Sequence, residues 1–232
     1  MTDSSLKKMW IGGQAVDGDA GVAPLVSVNP ATGEVNYEVA AAGAKAADTA
    51  VRVADEAARD KKWRNMLPPA RAAILSRIAD GMERRSEELA RLQMIENGKV
   101  WRECQTQVKS AAATFRYYAA VCETTGSEVT PARGDYLSMS VYEPYGVVAA
   151  ITPWNSPMTM EAQKVAPALA AGNAVILKPS EITPSTGLLL AEIAQEAGLP
   201  PGILNVLPGT GQQVGAALVE HPRVRMVSFT GG

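Results

Sequence analysis

The sequence predicts an α/β protein with a doubly wound parallel sheet, preceded by a helical N-terminal segment and an antiparallel ribbon. The sheet is indicated by four short apolar runs rich in β-branched residues, which are typical of strands buried on both faces. These runs span residues 147–151, 174–177, 203–207 and 224–229. Their starts lie 21 to 29 residues apart and a helical pattern follows each of the first three. Because a β-α-β unit takes about 30 residues, the expected fold is Rossmann-like.

The N-terminal segment, to about Tyr145, carries one apolar stripe per predicted helix. Apolar residues recur every three or four positions within residues 47–57, 75–82, 89–95 and 108–119. The third stripe ends at Asn97-Gly98, a pair that suits a left-handed helix end, and the fourth ends before Gly126. We expect these helices to pack against each other and to carry no catalytic group.

Residues 137–143 follow the turn pair Gly134-Asp135 and alternate between apolar and polar side chains. This alternation predicts a strand with one solvated face, unlike the apolar strands that come after it. We therefore expect an antiparallel ribbon outside the main sheet, available for pairing with another subunit.

Composition excludes several classes of function. The formal net charge of -2 gives no field that would gather a nucleic-acid backbone or an anionic membrane. There is no signal-peptide pattern and no run near the about 18 apolar residues of a membrane helix, so a cytoplasmic location is expected. Cys104 and Cys122 lie in helical patterns and are expected to be reduced thiols. His221 is the only histidine and no Cys/His spacing suggests zinc, so no metal site is predicted.

Sheets of this class bind ligands beyond the carboxyl ends of their strands, so the residues after each strand belong together. After the first strand, Asn155 offers a neutral carboxamide in a turn stiffened by Pro153 and Pro157. A fixed amide donor can stabilise the oxyanion of a tetrahedral adduct. Taken alone, an asparagine between prolines is more often an ordinary turn residue, so the interpretation depends on the neighbouring segments.

Lys178 and Glu181 follow the second strand. A carboxylate at this strand end accepts hydrogen bonds from ribose hydroxyls and repels a 2′-phosphate, which favours NAD over NADP. Lys178 can donate to the same ribose or to neighbouring oxygens. As an isolated pair, the two residues would also suit a solvated cation and a carboxylate at a helix start.

Glycines follow the third and fourth strands. Gly209, Gly211 and Gly215 form the pattern G-x-G-x-x-x-G, which allows close backbone approach and a pyrophosphate at a helix start. The spacing differs from the dinucleotide fingerprint G-x-G-x-x-G, so an ordinary strand-to-helix turn explains it about as well. The fourth strand runs into Phe229-Thr230-Gly231-Gly232, an edge of small residues over which a flat nicotinamide or a diphosphate can lie.

These four segments, together with Trp10-Ile11-Gly12-Gly13 and Asn29-Pro30-Ala31-Thr32-Gly33, closely resemble the NAD(P)-dependent aldehyde dehydrogenase superfamily from about Ile11 onward. The resemblance implies that Asn155 forms the oxyanion hole with the backbone N–H of a nucleophile. It also implies a cofactor site lined by Ile151, Thr152, Trp154, Lys178, Glu181, Gly211, Phe229, Thr230 and Gly231. Two residues depart from the family: Ser156 stands where an aromatic residue is frequent, and Gly232 where a serine often contacts the diphosphate.

The resemblance further implies oxidation of an aldehyde to a carboxylic acid with NAD as hydride acceptor, through a cysteine thioester that a glutamate-activated water hydrolyses. The family's cysteine and glutamate lie beyond the segment that matches residues 229–232. We therefore expect this chain to be the N-terminal portion of such an enzyme and to be inactive alone. Residues 1–125 would form the helical part of the cofactor-binding domain, residues 126–145 a ribbon for homodimer or homotetramer formation, and residues 146–232 an incomplete Rossmann-like NAD-binding part.

Two alternatives stay open at this stage. The first is a non-catalytic dinucleotide-binding or oligomerisation module that works by association with another chain. A Cys and a Glu encoded past Gly232 would favour the enzyme, and a stop codon without them would favour the module. An enzyme that reduces acyl phosphates or thioesters would share the same half. The aldehyde itself is not indicated by the sequence.

Overall fold

The structure is a computed structural model and describes residues 6–231, so the expectation placed on Gly232 lies outside the described residues. It begins with four short strands, β1 (Met9–Ile11), β2 (Gln14–Val16), β3 (Leu25–Val28) and β4 (Val35–Val39). Gly12 and Gly13, both with positive φ, turn β1 antiparallel onto β2, whereas β3 and β4 form a separate two-stranded sheet. These strands have no separate prediction from the sequence, because they are too short for a clear pattern.

The predicted N-terminal helices are all present. The four predicted helices are α1 (Ala44–Arg59), α3 (Pro68–Arg84), α4 (Ser86–Asn97) and α5 (Trp101–Thr124), and a single turn that no stripe predicted, α2 (Lys61–Arg64), lies between α1 and α3. Helices α1, α3 and α5 bury most of the stripe that predicted them, whereas in α4 Leu89 is buried and Leu92 and Ile95 are half-buried. Gly98 ends α4 in the left-handed conformation with a φ of 73°. The helical prediction for this segment is therefore confirmed.

The parallel sheet is built from β5 (Val147–Ile151), β6 (Ala174–Lys178), β7 (Leu204–Val206) and β8 (Val224–Phe229). The connecting elements are α6 (Pro157–Ala170), α7 (Ser185–Glu196), a π-helical turn (Gly211–Gly215) and α8 (Ala216–Glu220). The strand order is β2-β1-β7-β6-β5-β8, with β1 antiparallel to β7. The predicted α/β fold with a parallel sheet is confirmed, and β1 and β2 extend it.

Burial explains why the parallel strands were readable from the sequence. Every residue of β6 and β7 is buried, as are the first four residues of β5. Helices α1 and α8 pack together on the sheet, and α6 and α7 form a second pair that α3, α4 and α5 cover with a further layer. Strands covered in this way need apolar side chains on both faces.

The segment 126–145 differs from its prediction. Antiparallel pairing is present, but only as the isolated bridges Val129–Met139 and Arg133–Tyr136, and not as a continuous strand. Both faces are exposed, since the side chains of Leu137 and Met139 lie in solvent together with the polar residues between them. A two-stranded ribbon with no third strand or helix packed on it gains little stability, which explains the sparse pairing.

Candidate functional site

The carboxyl ends of the parallel strands meet at one cleft of about 570 Å³. Ile151 is paired with Lys178 on one side and with Phe229 on the other, so β5, β6 and β8 end at the same level. The cleft is lined by Ile151, Thr152, Pro153, Trp154, Asn155, Lys178, Ser180, Glu181, Ile182, Gly211, Phe229, Thr230 and Gly231. All the predicted site residues except Gly215 are therefore brought together.

Asn155 lies on the turn between β5 and α6. The turn is anchored at its start, where the Thr152 N–H donates to the Lys178 carbonyl at 3.1 Å. The Asn155 side chain is exposed, and within residues 6–231 its carboxamide forms no hydrogen bond. Both amide hydrogens are thus free to donate to a ligand oxygen in the cleft.

Lys178 and Glu181 form a polar wall of the cleft. The Lys178 side chain is only 4% exposed, and its Nζ donates to the Pro179 carbonyl at 2.9 Å and lies 3.5 Å from Glu181 Oε2. Burial lowers the pKa of Lys178, and the neighbouring Glu181 carboxylate opposes that shift. The Glu181 side chain remains 45% exposed, so its carboxylate can still accept hydrogen bonds from a ligand.

The glycines after β7 serve different purposes. A Cβ on Gly209 would lie 2.8 Å from Val214 Cγ1 and 2.9 Å from the Ala42 carbonyl oxygen, so this position is set by packing within the protein. A Cβ on Gly211, in contrast, would meet nothing within 4 Å, because this residue faces the open cleft. Gly215 lies outside the cleft lining, buried behind Lys178, whose Cδ would be 3.9 Å from a Cβ there. Its predicted contact with the cofactor therefore stays a prediction, with the residue placed outside the cleft lining.

Some site residues had no prediction. Ser180 lies between the predicted Lys178 and Glu181, Ile182 directly follows Glu181, and both line the cleft. A further cation near the end of β8, Lys164, does not itself line the cleft: it follows Pro157, the first residue of α6, by two helical turns, and its Nζ donates to Ser228 Oγ at 3.1 Å. Burial lowers the pKa of Lys164. Helical spacing from the start of α6 was the signal that could have found it.

Two buried carboxyl groups lie outside the cleft lining. Glu96 Oε1 accepts hydrogen bonds from the Tyr37 hydroxyl at 2.8 Å and from the Ser185 N–H at 3.3 Å, whereas Glu161 Oε1 accepts one from Thr186 Oγ1 at 3.1 Å. Burial raises the pKa of Glu96 to about 7 and that of Glu161 to about 8. Within residues 6–231 the second oxygen of each carboxyl has no hydrogen-bond partner.

The two cysteines are unsuited to nucleophilic attack as they stand. Cys104 is fully buried in α5, and burial raises the pKa of its thiol. Cys122 is buried near the end of the same helix, with its Sγ 3.4 Å from the Ala170 carbonyl oxygen. Reactive thiols need an accessible thiolate, and neither residue lines the cleft.

The sequence model of the aldehyde dehydrogenase family matches residues 16–232 of this chain. The chain belongs to the aldehyde dehydrogenase family. The predicted family is thereby confirmed, and the match includes all four loops that line the cleft.

Several solved structures share the fold closely. The NAD⁺ complex of aldehyde dehydrogenase from Bacillus cereus is 36% identical, with a TM-score of 0.95 over 98% of this chain and 46% of that one. HpcC from Thermus thermophilus is 38% identical, with a TM-score of 0.92 over 97% of this chain and 44% of that one. An NAD-dependent aldehyde dehydrogenase from Sinorhizobium meliloti is 34% identical, with a TM-score of 0.93 over 97% of this chain and 45% of that one.

This aldehyde dehydrogenase chain thus spans slightly less than half the length of these solved relatives. Among its helices within residues 6–231, none combines the length and the apolar character that crossing a bilayer requires.

Proposed function

We propose that this chain forms the NAD-binding part of an NAD-dependent aldehyde-oxidising site and contributes Asn155 as an oxyanion donor. The proposal rests mainly on the convergence of the strand-end loops on one cleft, with Asn155, Lys178 and Glu181 on its wall. The volume of about 570 Å³ is in the range of about 300–1,000 Å³ that holds small ligands and cofactors. The solved relatives from B. cereus and S. meliloti, named as an NAD⁺ complex and as NAD-dependent, support the choice of cofactor.

The residues of the cleft fit the parts of a dinucleotide. The half-exposed Glu181 carboxylate would accept hydrogen bonds from ribose hydroxyls, and the desolvated Lys178 ammonium would donate to ribose oxygens. Gly211 and Gly231 carry no side chain and leave room for a diphosphate against the backbone. When bound, NAD would supply the hydride acceptor.

Asn155 would act on the aldehyde. Its unpaired carboxamide would donate a hydrogen bond to the carbonyl oxygen, and this bond would strengthen as the oxygen gains negative charge during attack by a nucleophile. A neutral amide stabilises that charge without giving up a proton. Ser156, next to Asn155 in sequence, makes this turn more polar than an aromatic residue would.

We also propose that residues 126–145 mediate self-association into a homodimer or homotetramer. In sequence, this ribbon stands between a helical part at residues 1–125 and the NAD-binding part at residues 146–232. Apolar side chains are exposed along this ribbon, with Tyr136 81% and Leu137 74% accessible. Clustered exposed apolar groups on a loosely paired ribbon favour a protein partner. The same observation supports the second candidate function, a non-catalytic module that acts by association.

Binding of NAD to the 232-residue chain is the direct test of the proposed function. We expect saturable heat in a calorimetric titration and a saturable change in tryptophan emission, because Trp154 lines the cleft and is 51% exposed. Trp154→Phe should abolish the emission change and leave the heat. A chain that shows saturable binding by neither method would contradict the proposal.

We expect the 232-residue chain to form no NADH from aldehydes. The reason is that both of its cysteines are buried away from the cleft, so no thiol can attack a carbonyl held by Asn155. Absorbance at the NADH wavelength should stay flat with short aliphatic, aromatic and semialdehyde substrates. NADH formation that is lost on thiol alkylation would show that Cys104 or Cys122 is the nucleophile after all.

A further inference from the structure

The turn that carries Asn155 makes few hydrogen bonds of its own. Beyond the anchor at Thr152, the next backbone bond is from the Met160 N–H to the Ser156 carbonyl at 3.0 Å, already inside α6. Ser156 precedes α6 with φ of -146° and ψ of 61°, and its side chain does not cap the helix. An oxyanion donor is effective only when it is held in position before the reaction, so something else must hold this turn.

Three carboxamides from the N-terminal helical layer contact the turn. Gln107 of α5 donates from Nε2 to Ser156 Oγ at 3.2 Å. Two residues of α4 make longer contacts. Gln93 Oε1 accepts a hydrogen bond from the Met158 N–H at 3.4 Å, and Asn97 Nδ2 donates to the Trp154 carbonyl at 3.5 Å. The Gln107 bond is the shortest of the three and involves the residue next to Asn155.

The orientation of the Gln107 carboxamide is fixed by its surroundings. Its Nε2 also donates to Glu103 Oε1 at 3.2 Å, and the same Glu103 oxygen accepts from Lys99 Nζ. A carboxylate on this side requires the NH₂ end of the amide, so the same NH₂ group is the one that faces Ser156. The chain Lys99, Glu103, Gln107 therefore presents a donor to the serine hydroxyl and ties α5 to the turn.

We propose that Gln107 is a positioning residue, which holds Ser156 by a hydrogen bond and thereby fixes the Asn155 carboxamide at the cleft before an aldehyde binds. This role rests on the proposed function of Asn155 as the oxyanion donor. It also gives a purpose to Ser156, whose hydroxyl accepts the bond that holds the turn.

The test measures order in the turn by NMR relaxation and amide exchange of the 232-residue chain. In Gln107→Leu, the order parameters of the Asn155 backbone and side-chain amides should fall from about 0.85 to below about 0.6. Exchange of the Met160 amide, which bonds the Ser156 carbonyl, should become about fivefold faster. The urea midpoint should not fall, because leucine also removes the buried Gln107 Oε1, which has no partner within residues 6–231.

Companion variants separate positioning from general stability. Ser156→Ala should loosen the turn to the same extent, the double variant no further, and Ser156→Thr should keep the order of the wild type because it keeps the hydroxyl. Gln105→Leu, on the exposed side of the same helix, is the matched control and should change nothing. If Gln107→Leu does not fold, Ser156→Ala carries the test.

Unchanged order at Asn155 in both Gln107→Leu and Ser156→Ala would overturn the proposal, as would loosening in the first variant alone. None of these measurements needs NAD or an aldehyde. Their failure is therefore distinguishable from failure of the proposed function, which would appear as absent NAD binding in the wild type.

Discussion

Glu161→Gln is expected to raise the free energy of unfolding by about 2–4 kcal/mol at pH 8 and by much less at pH 5. Glu161 is fully buried on α6, and its only hydrogen bond within residues 6–231 comes from Thr186 Oγ1. Burial, with a smaller contribution from the nearby Glu96, raises the pKa of this carboxyl from 4.5 to about 8. Glutamine keeps a neutral polar group of the same size and removes the cost of ionisation.

The direction of the pH dependence follows from linkage. Between pH 4.5 and about 8 the folded protein holds a proton on Glu161 that the unfolded chain has lost. The contribution of the Glu161 carboxyl to the free energy of unfolding is therefore fully present below pH 4.5 and is lost as the pH rises through about 8. Glu96, with a pKa of about 7, acts in the same direction over a narrower window.

Urea unfolding at pH 5, 6.5 and 8 measures the effect as the difference between variant and wild type, so contributions from other carboxylates cancel. Glu56→Gln, an exposed carboxyl on α1, is the matched control and should show no growing difference. A stabilisation by Glu161→Gln that is equal at pH 5 and pH 8 would show that Glu161 does not titrate in this window.

Glu181→Ala is expected to lower the affinity for NAD at least about tenfold and to raise the affinity for NADP. The first effect follows from the loss of charge-assisted hydrogen bonds to ribose hydroxyls, each worth about 1.5–3 kcal/mol. The second follows because the carboxylate no longer repels a 2′-phosphate, and because Lys178 Nζ, now 3.5 Å from Glu181, becomes available to that phosphate.

Calorimetric titration with both dinucleotides checks this change of preference. Glu192→Ala is the matched control, because the Glu192 side chain is also 45% exposed but lies on α7, outside the cleft lining. If Glu181→Ala still binds NAD as tightly as the wild type and still excludes NADP, the ribose contact belongs to another residue.

Strands β5, β6 and β7 were predictable because burial on both faces leaves a direct record in the sequence, whereas β8 was recognised from its apolar and β-branched residues although most of its side chains are exposed. The predicted bounds of β5 and β8 agree with the structure at both ends, those of β6 differ by one residue at one end, and those of β7 differ by one residue at each end. In contrast, β1 and β2 have three residues each, and β1 joins the sheet through long-range contacts such as Trp10 with Val206. Such pairings have no local signal.

The convergence of the site followed from the topology, whereas the finer roles depended on tertiary contacts. The glycine pattern is the same whether a glycine faces the open cleft, as Gly211 does, or a lysine side chain, as Gly215 does. Likewise, Glu161 lies one turn after Met158 and thus on the buried stripe of α6, but its charge argued for the surface. Gln107 contacts Ser156 across 49 positions of sequence, a pairing that no local pattern indicates.

Mapping the NAD site by NMR chemical-shift perturbation tests the central claim most directly. Amide and indole signals of the 232-residue chain would be followed during titration with NAD. The account predicts saturable shifts confined to the four strand-end loops, at residues 151–155, 178–182, 209–211 and 229–231. Shifts elsewhere with these loops unchanged, for example in the second cleft around Trp10 and Leu92, would contradict it.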